Sequence, residues 1–133
     1  MSITFEELTL QLKKCETFYL ATHDGEQPRL RPMNMVVFDD RFFFLTFSKS
    51  DKYKELCLCP KIEICTEVEK WVRYCIRAEG VATIIEDQAI RTSVAAKASF
   101  FYNFWKDPDD PEYVLFEMKF KSIEHLASVK EKT

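Results

Sequence analysis

A chain of 133 residues fits one domain, and a hydrophobic content of 47% with twelve Phe provides a core and leaves apolar surface that a second copy could cover, so a homodimer is expected. A net charge of −3, with Lys scattered among Asp and Glu, leaves no basic stripe and argues against nucleic acid as a partner. No apolar run approaches membrane-spanning length, and the acidic start MSITFEELTLQLKK lacks the pattern of a signal peptide, so no membrane partner and a cytoplasmic location are expected. Thr4 and Glu7 form a capping-box pattern with Ile3 and Leu8 as a hydrophobic staple, which predicts a helix from Phe5 to about Lys14. Thr17 to Thr22 reads as a strand, His23-Asp24-Gly25-Glu26 as a turn in which Gly25 can take positive φ, and Pro28 to Phe38 as a second strand. Asp39-Asp40 turns the chain into a Phe-rich third strand, Arg41 to Phe47, so an antiparallel meander is expected. Ser50 is a good N-cap for a helix from Asp51 to about Cys59, which Pro60 limits.

Lys61 to Val68 predicts a fourth strand. Lys70 to Ile85 is a long β-rich stretch in which Gly80 marks a bend or bulge at a barrel corner. Glu86 to Ala98 reads as helix, and the Phe100–Trp105 cluster continues as helix or turn until KDPDDP breaks it. Tyr113 to Phe120 alternates like a final strand, and the tail after Ser122 is expected to fray. The pattern is mainly β with helical caps, a small antiparallel barrel forming a single domain over residues 1–133.

The residues with chemical potential sit on the second strand and at the start of the second helix. Arg29 and Arg31 share one face by the period of two, and Met33 and Met35 continue it, so that face is basic at one end and soft at the other. Ser48, Lys49, Ser50 and Lys52 lie at a helix start, where free N–H groups and the helix dipole favour an anion. Taken alone, that cluster is better explained as an exposed, capped helix start; its spacing from the arginine strand reverses that preference in favour of a phosphate. The five cysteines, Cys15, Cys57, Cys59, Cys65 and Cys75, offer no C-x-x-C spacing and read as small buried hydrophobes, so neither disulfides nor a metal site is expected. Gly25 and Gly80 are the only glycines, which excludes a P-loop and a G-x-G-x-x-G nucleotide site. His23 and His125 have no evident nucleophile partner, so a hydrolase triad is not expected.

The ATHDG turn, the PRLRPM strand, the FFLTFSKSDKYKEL segment and the strand PKIEIC together resemble the FMN-binding split β-barrel of the pyridoxamine 5'-phosphate oxidase superfamily, closest to its small members of about this length. The softer pattern of WVRYCIRAEGVATI extends the likeness toward the C-terminus. The resemblance implies FMN as cofactor, bound at a subunit interface, and two-electron redox chemistry on a small molecule. It places the phosphate-binding Arg of the P-x-x-R pattern at Arg31 and the ring-lining segment at Met33, Asn34 and Met35. The family's phosphate-binding Lys, four residues before a Leu, falls on Lys52, with Thr46, Ser50 and Asp51 in the other loop positions. Many relatives carry a basic residue where Asp51 stands, and Lys49 is the substitute expected here. Trp71 and Arg73 match a W-x-R pattern that would reach the cofactor across the interface, although Trp71 could equally pack the barrel. The Phe100–Trp105 cluster is read as a cover for the flavin, a cradle for an aromatic substrate, or simply core.

No catalytic side chain is implied, because the flavin carries the redox step and protein groups position its ring. The resemblance to true pyridoxamine 5'-phosphate oxidases is through the barrel alone: the segment SIEHLASVKEKT lacks their Arg-x-His substrate motif, so vitamin B6 oxidation is not expected. Two rivals stay open. One is a deazaflavin-dependent reductase of the same fold, and the other a non-enzymatic flavin- or haem-binding carrier or sensor.

Overall fold

The computed structural model describes residues 4–67 and 74–127. Helix α1 (Phe5–Lys13) begins with the expected capping box, Thr4 Oγ1 accepting from Glu7 N at 3.1 Å and Glu7 Oε1 accepting from Thr4 N at 3.2 Å. Ile3, the other half of the expected staple, lies outside the described residues. Leu8 and Leu12 form the buried side of α1.

The strands β1 (Thr17–His23), β2 (Pro28–Asn34), β3 (Val36–Phe38), β4 (Arg41–Phe47), β5 (Lys61–Glu67), β6 (Tyr74–Ile84) and β7 (Tyr113–Ala127) form one antiparallel sheet in the order β2-β1-β5-β6-β7-β4-β3. The sheet curls until β2 touches β4, which makes it a split barrel rather than an open layer. Helix α2 (Asp51–Leu58) packs against β1, and α3 (Gln88–Lys97) against β3. A 3₁₀ turn at Phe101–Asn103 follows α3.

The Phe-rich strand is apolar on both faces because it separates two cores. Phe42 and Phe44 point into the barrel with Phe18, Ile64 and Phe116, while Phe43 and Leu45 pack under α3 with Val94, Phe101, Trp105 and Tyr113. Each fully buried Phe contributes about 2–3 kcal/mol relative to exposure. The hairpin before β4 closes on Asp39 and Asp40 with φ of 54° and 58°, the left-handed pair that a two-residue turn between twisted strands requires.

Two expectations need correction. The second strand does not run unbroken from Pro28 to Phe38: β2 pairs with β1, β3 pairs with β4, and the chain changes partner at Met35, whose N–H donates to Glu16 O at 2.7 Å. The last strand does not stop at Phe120 and fray after Ser122. It continues to Ala127 because β6 supplies partners as far as Tyr74, with a bulge between Glu79 and Gly80 absorbing the bend. Val68 and the 70–73 part of the expected β-rich stretch lie outside the described residues. Among the described residues no helix is long and apolar enough to cross a membrane.

Candidate functional site

The curl that brings β2 onto β4 places Arg31, Met33 and Asn34 beside the start of α2. There Ser50 is the N-cap, its Oγ accepting from Tyr53 N at 3.2 Å and lying 2.9 Å from Thr46 Oγ1. Lys52 Nζ donates to the same Thr46 hydroxyl at 3.2 Å. None of the ion pairs among the described residues includes Lys52. Its ammonium is held below the usual lysine range, first by burial and then by the charge of Arg31. A part-buried cation next to a second cation, at a helix start, is an arrangement that an anion relieves.

Arg31 is less free. Its Nη1 donates to Thr22 Oγ1 at 2.8 Å and to Leu20 O at 3.3 Å, and its Nη2 donates to Glu55 Oε1 at 2.9 Å. Thr22 Oγ1 also donates to Glu55 Oε1, at 2.5 Å. Both Thr22 and Glu55 are buried. The sequence reading missed these two residues; the available signal was Glu55 three positions after Lys52 on α2, which puts both on one side of the helix. Arg29, on the same face by alternation, is turned to the β1–β2 hairpin instead, where its Nε donates to Asp24 Oδ2 at 2.7 Å. Bonds from the Glu26 and Gln27 N–H groups, then Arg29, hold the Asp24 carboxyl well below the usual carboxylate range.

Two depressions meet at this point. An open cleft of about 930 Å³ is lined by Asp24, Arg29, Arg31, Lys52, Lys54 and Glu55 among others. A smaller one of about 170 Å³ is lined by Met33, Asn34, Thr46, Phe47, Phe104 and Trp105 among others. Lys52 belongs to both, so a charged end joins an aromatic one. Of the expected residues, Arg31, Met33, Asn34, Thr46, Ser50 and Lys52 come together here. The Met35 side chain is buried in the barrel core at 9% exposure, and Lys49 is exposed and lines neither depression. Trp71 and Arg73 lie outside the described residues.

The aromatic cluster divides. Phe101 and Trp105 are core, their rings 5.2 Å apart and 4.9 and 5.4 Å from that of Tyr113. Phe100 and Phe104 reach the smaller depression, with Phe104 edge-on to Phe47 at 5.8 Å. The Trp105 Nε1–H is buried without a hydrogen-bond partner among the described residues.

The cysteines are free thiols, Cys65 and Cys75 having their sulfurs 3.5 Å apart, and no group of three metal-ligating side chains occurs among the described residues.

Among curated proteins no sequence matches. In solved structures, a NimC/NimA family protein from Clostridium acetobutylicum superposes with a TM-score of 0.76 at 24% identity, over 94% of this chain and 88% of that one. A pyridoxamine 5'-phosphate oxidase-related, FMN-binding protein from Nostoc punctiforme gives 0.72 at 20% identity, over 92% and 78%. HutZ, the haem storage protein from Vibrio cholerae, gives 0.71 at 17% identity, over 94% of each chain. At these identities the likeness shows the shared split-barrel fold. The sequence itself matches the pyridoxamine 5'-phosphate oxidase family over residues 4–127, and with nearly the whole chain covered it belongs to that family.

Proposed function

We propose that this chain is an FMN-binding flavoprotein and an oxidoreductase acting on a small molecule. The observation that carries the reading is the shared position of Lys52: one side chain borders both a charged cleft and an aromatic depression, the two environments that a flavin mononucleotide needs at its two ends. The Lys52 ammonium, without a carboxylate partner, fits a phosphate, as do the Ser50 and Thr46 hydroxyls beside it. Met33 and Asn34 on β2, facing Phe47 and Phe104, fit the ring. Bound FMN supplies two-electron transfer through its ring. The chain's own residues anchor the phosphate, orient the ring along β2 and wall it from water with Phe100 and Phe104.

The family supports the flavin reading, and the likeness to an FMN-binding protein agrees with it. The exposed Leu30 and Leu58 beside the charged cleft, 69% and 81% exposed, support a second copy of the chain closing over it, and we read the working form as a cytoplasmic homodimer.

The test is an absorption spectrum of freshly purified protein, with mass spectrometry of whatever heat or acid releases. A yellow preparation releasing FMN, or a colourless one that binds added FMN stoichiometrically, supports the reading. Release of a deazaflavin or haem, or failure to bind added FMN, overturns it.

A further inference from the structure

The charged cleft contains its own anions. Four basic side chains, Arg29, Arg31, Lys52 and Lys54, face three carboxylates, Asp24, Asp51 and Glu55. Two of the four are already balanced: Arg29 by Asp24 at 2.7 Å, out in the hairpin, and Arg31 by Glu55 at 2.9 Å, beneath the site. The second pair is the unusual one. Glu55 is 9% exposed and projects from α2 to put a single oxygen, Oε1, against both Thr22 and Arg31. An apolar residue at that point would avoid the cost of burying a carboxylate, but it would leave Arg31 and Thr22 without the oxygen they share.

What Glu55 does is engage the guanidinium from below. With Nη2 on Glu55 and Nη1 on Thr22 and Leu20, Arg31 offers an incoming phosphate little uncompensated charge. Lys54 is exposed, and Asp51 stands exposed in the first turn of α2, so solvent screens both. Lys52 is left as the part-buried cation that no carboxylate contacts, with Asp51 and Glu55 acting on it only from beyond ion-pair distance.

We propose that Glu55 is a specificity-determining residue of the phosphate end: as resident counter-ion to Arg31 it lowers the affinity for a phosphate dianion and leaves Lys52 to read that charge. This deepens the flavin reading above and rests on it for the identity of the ligand. A site so balanced discriminates a phosphorylated ligand from its unphosphorylated counterpart less than the pair Arg31 and Lys52 would by themselves. Removing the negative charge that lies 2.9 Å from the Arg31 guanidinium should strengthen phosphate binding by about tenfold or more at low salt.

The experiment is calorimetric titration of wild type and Glu55→Gln with FMN, riboflavin and inorganic phosphate. Gln keeps an acceptor for Thr22 and Arg31 while deleting the charge, and matched thermal unfolding checks that the variant folds. The expected result is a gain of about tenfold for FMN and for inorganic phosphate, with riboflavin changed by less than about twofold. Equal or weaker binding of FMN and phosphate by the variant overturns the counter-ion role, while flavin binding by wild type still upholds the cofactor reading. A gain for phosphate with no flavin bound by either protein overturns the cofactor and leaves the counter-ion role standing. Absence of all binding in both overturns both.

A second measurement needs no variant. When wild type is titrated with inorganic phosphate, the side-chain ¹⁵N resonance of Lys52 should move and those of the Arg31 guanidinium should hold. The reverse pattern would sink the inference.

Discussion

Lys52 and Thr46 are joined by a 3.2 Å hydrogen bond that spans the end of β4 and the first turn of α2, and this contact holds the ammonium part-buried without a carboxylate. The charge is therefore costly to the fold. With its pKa lowered by burial and by Arg31, Lys52 destabilises the protein at every pH below that lowered value, and the penalty fades as pH rises from there toward the ordinary lysine value. Lys52→Met should raise the stability of the ligand-free protein by about 0.5–1 kcal/mol near neutral pH, after allowance for solvent screening. The same variant should lose most of its preference for FMN over riboflavin. Urea unfolding and a binding titration check the two halves, and a destabilised Lys52→Met protein would contradict the first.

Arg41 and Glu117 form the opposite kind of pair, a fork with Nε to Oε2 at 2.9 Å and Nη2 to Oε1 at 2.7 Å across β4 and β7. The bonds from Arg41 hold the Glu117 carboxyl below its ordinary value. That stabilisation is present above the ordinary carboxylate pKa and is lost as pH falls through the lowered one. Arg41→Met leaves a buried carboxylate unpaired and should cost about 3 kcal/mol near neutral pH, shrinking on acidification as Glu117 takes up a proton. Denaturant unfolding of both proteins between about pH 7 and pH 3 follows the convergence. A constant gap across that range would argue against the pair.

Local signals in the sequence were enough for elements whose causes are local. The capping box at Thr4, the N-cap at Ser50 and the left-handed pair Asp39-Asp40 each depend on neighbours within a few residues. The Phe run of β4 was legible as a strand, but that its two faces serve two cores depends on α3, some fifty positions later. The break at Met35 escaped because nothing in PRLRPMNMVVF distinguishes residues pairing with β1 from residues pairing with β4. Alternation put Arg29 and Arg31 on one face correctly. It could not say that Asp24 would capture one and Glu55 the other, since both partners are brought in by the turn and by the docking of α2. Nothing in the sequence singled out Glu55. Its burial is a consequence of α2 packing on β1.

Gly80 sits at the bulge where β6 bends. A Cβ there would fall 1.9 Å from Lys119 O and 2.8 Å from Phe120 Cα, both main-chain atoms of the neighbouring strand that cannot step aside singly. Gly80→Ala should destabilise by about 2 kcal/mol or more, through loss of pairing around the bulge rather than through backbone entropy. Amide hydrogen exchange is the discriminating readout: protection should fall at Ile62, Val81 and Lys119 before it falls at Phe44. Unchanged stability would mean that the two strands can part without cost.

Arg91 ties α3 to the loop that follows the aromatic cluster. Its Nη1 donates to Tyr113 O at 2.9 Å, and its Nη2 donates to Pro108 O at 3.1 Å and Asp110 O at 3.3 Å. The guanidinium lies 4.2 Å from the centre of the Tyr113 ring, whose hydroxyl donates back to Arg91 O at 3.0 Å. Three carbonyls gathered on one planar cation fix the course of residues 106–112, and with it the place where Phe104 and Trp105 meet Phe47. Lys cannot reproduce the fork, so Arg91→Lys should cost about 1–2 kcal/mol and Arg91→Met somewhat more. Because the loop adjoins the aromatic depression, both variants should bind FMN and riboflavin more weakly by a similar factor, which separates a loosened ring pocket from a damaged phosphate end. Loss confined to FMN would place the effect of Arg91 on the charged cleft instead, and that result would break the connection argued between α3 and the aromatic wall.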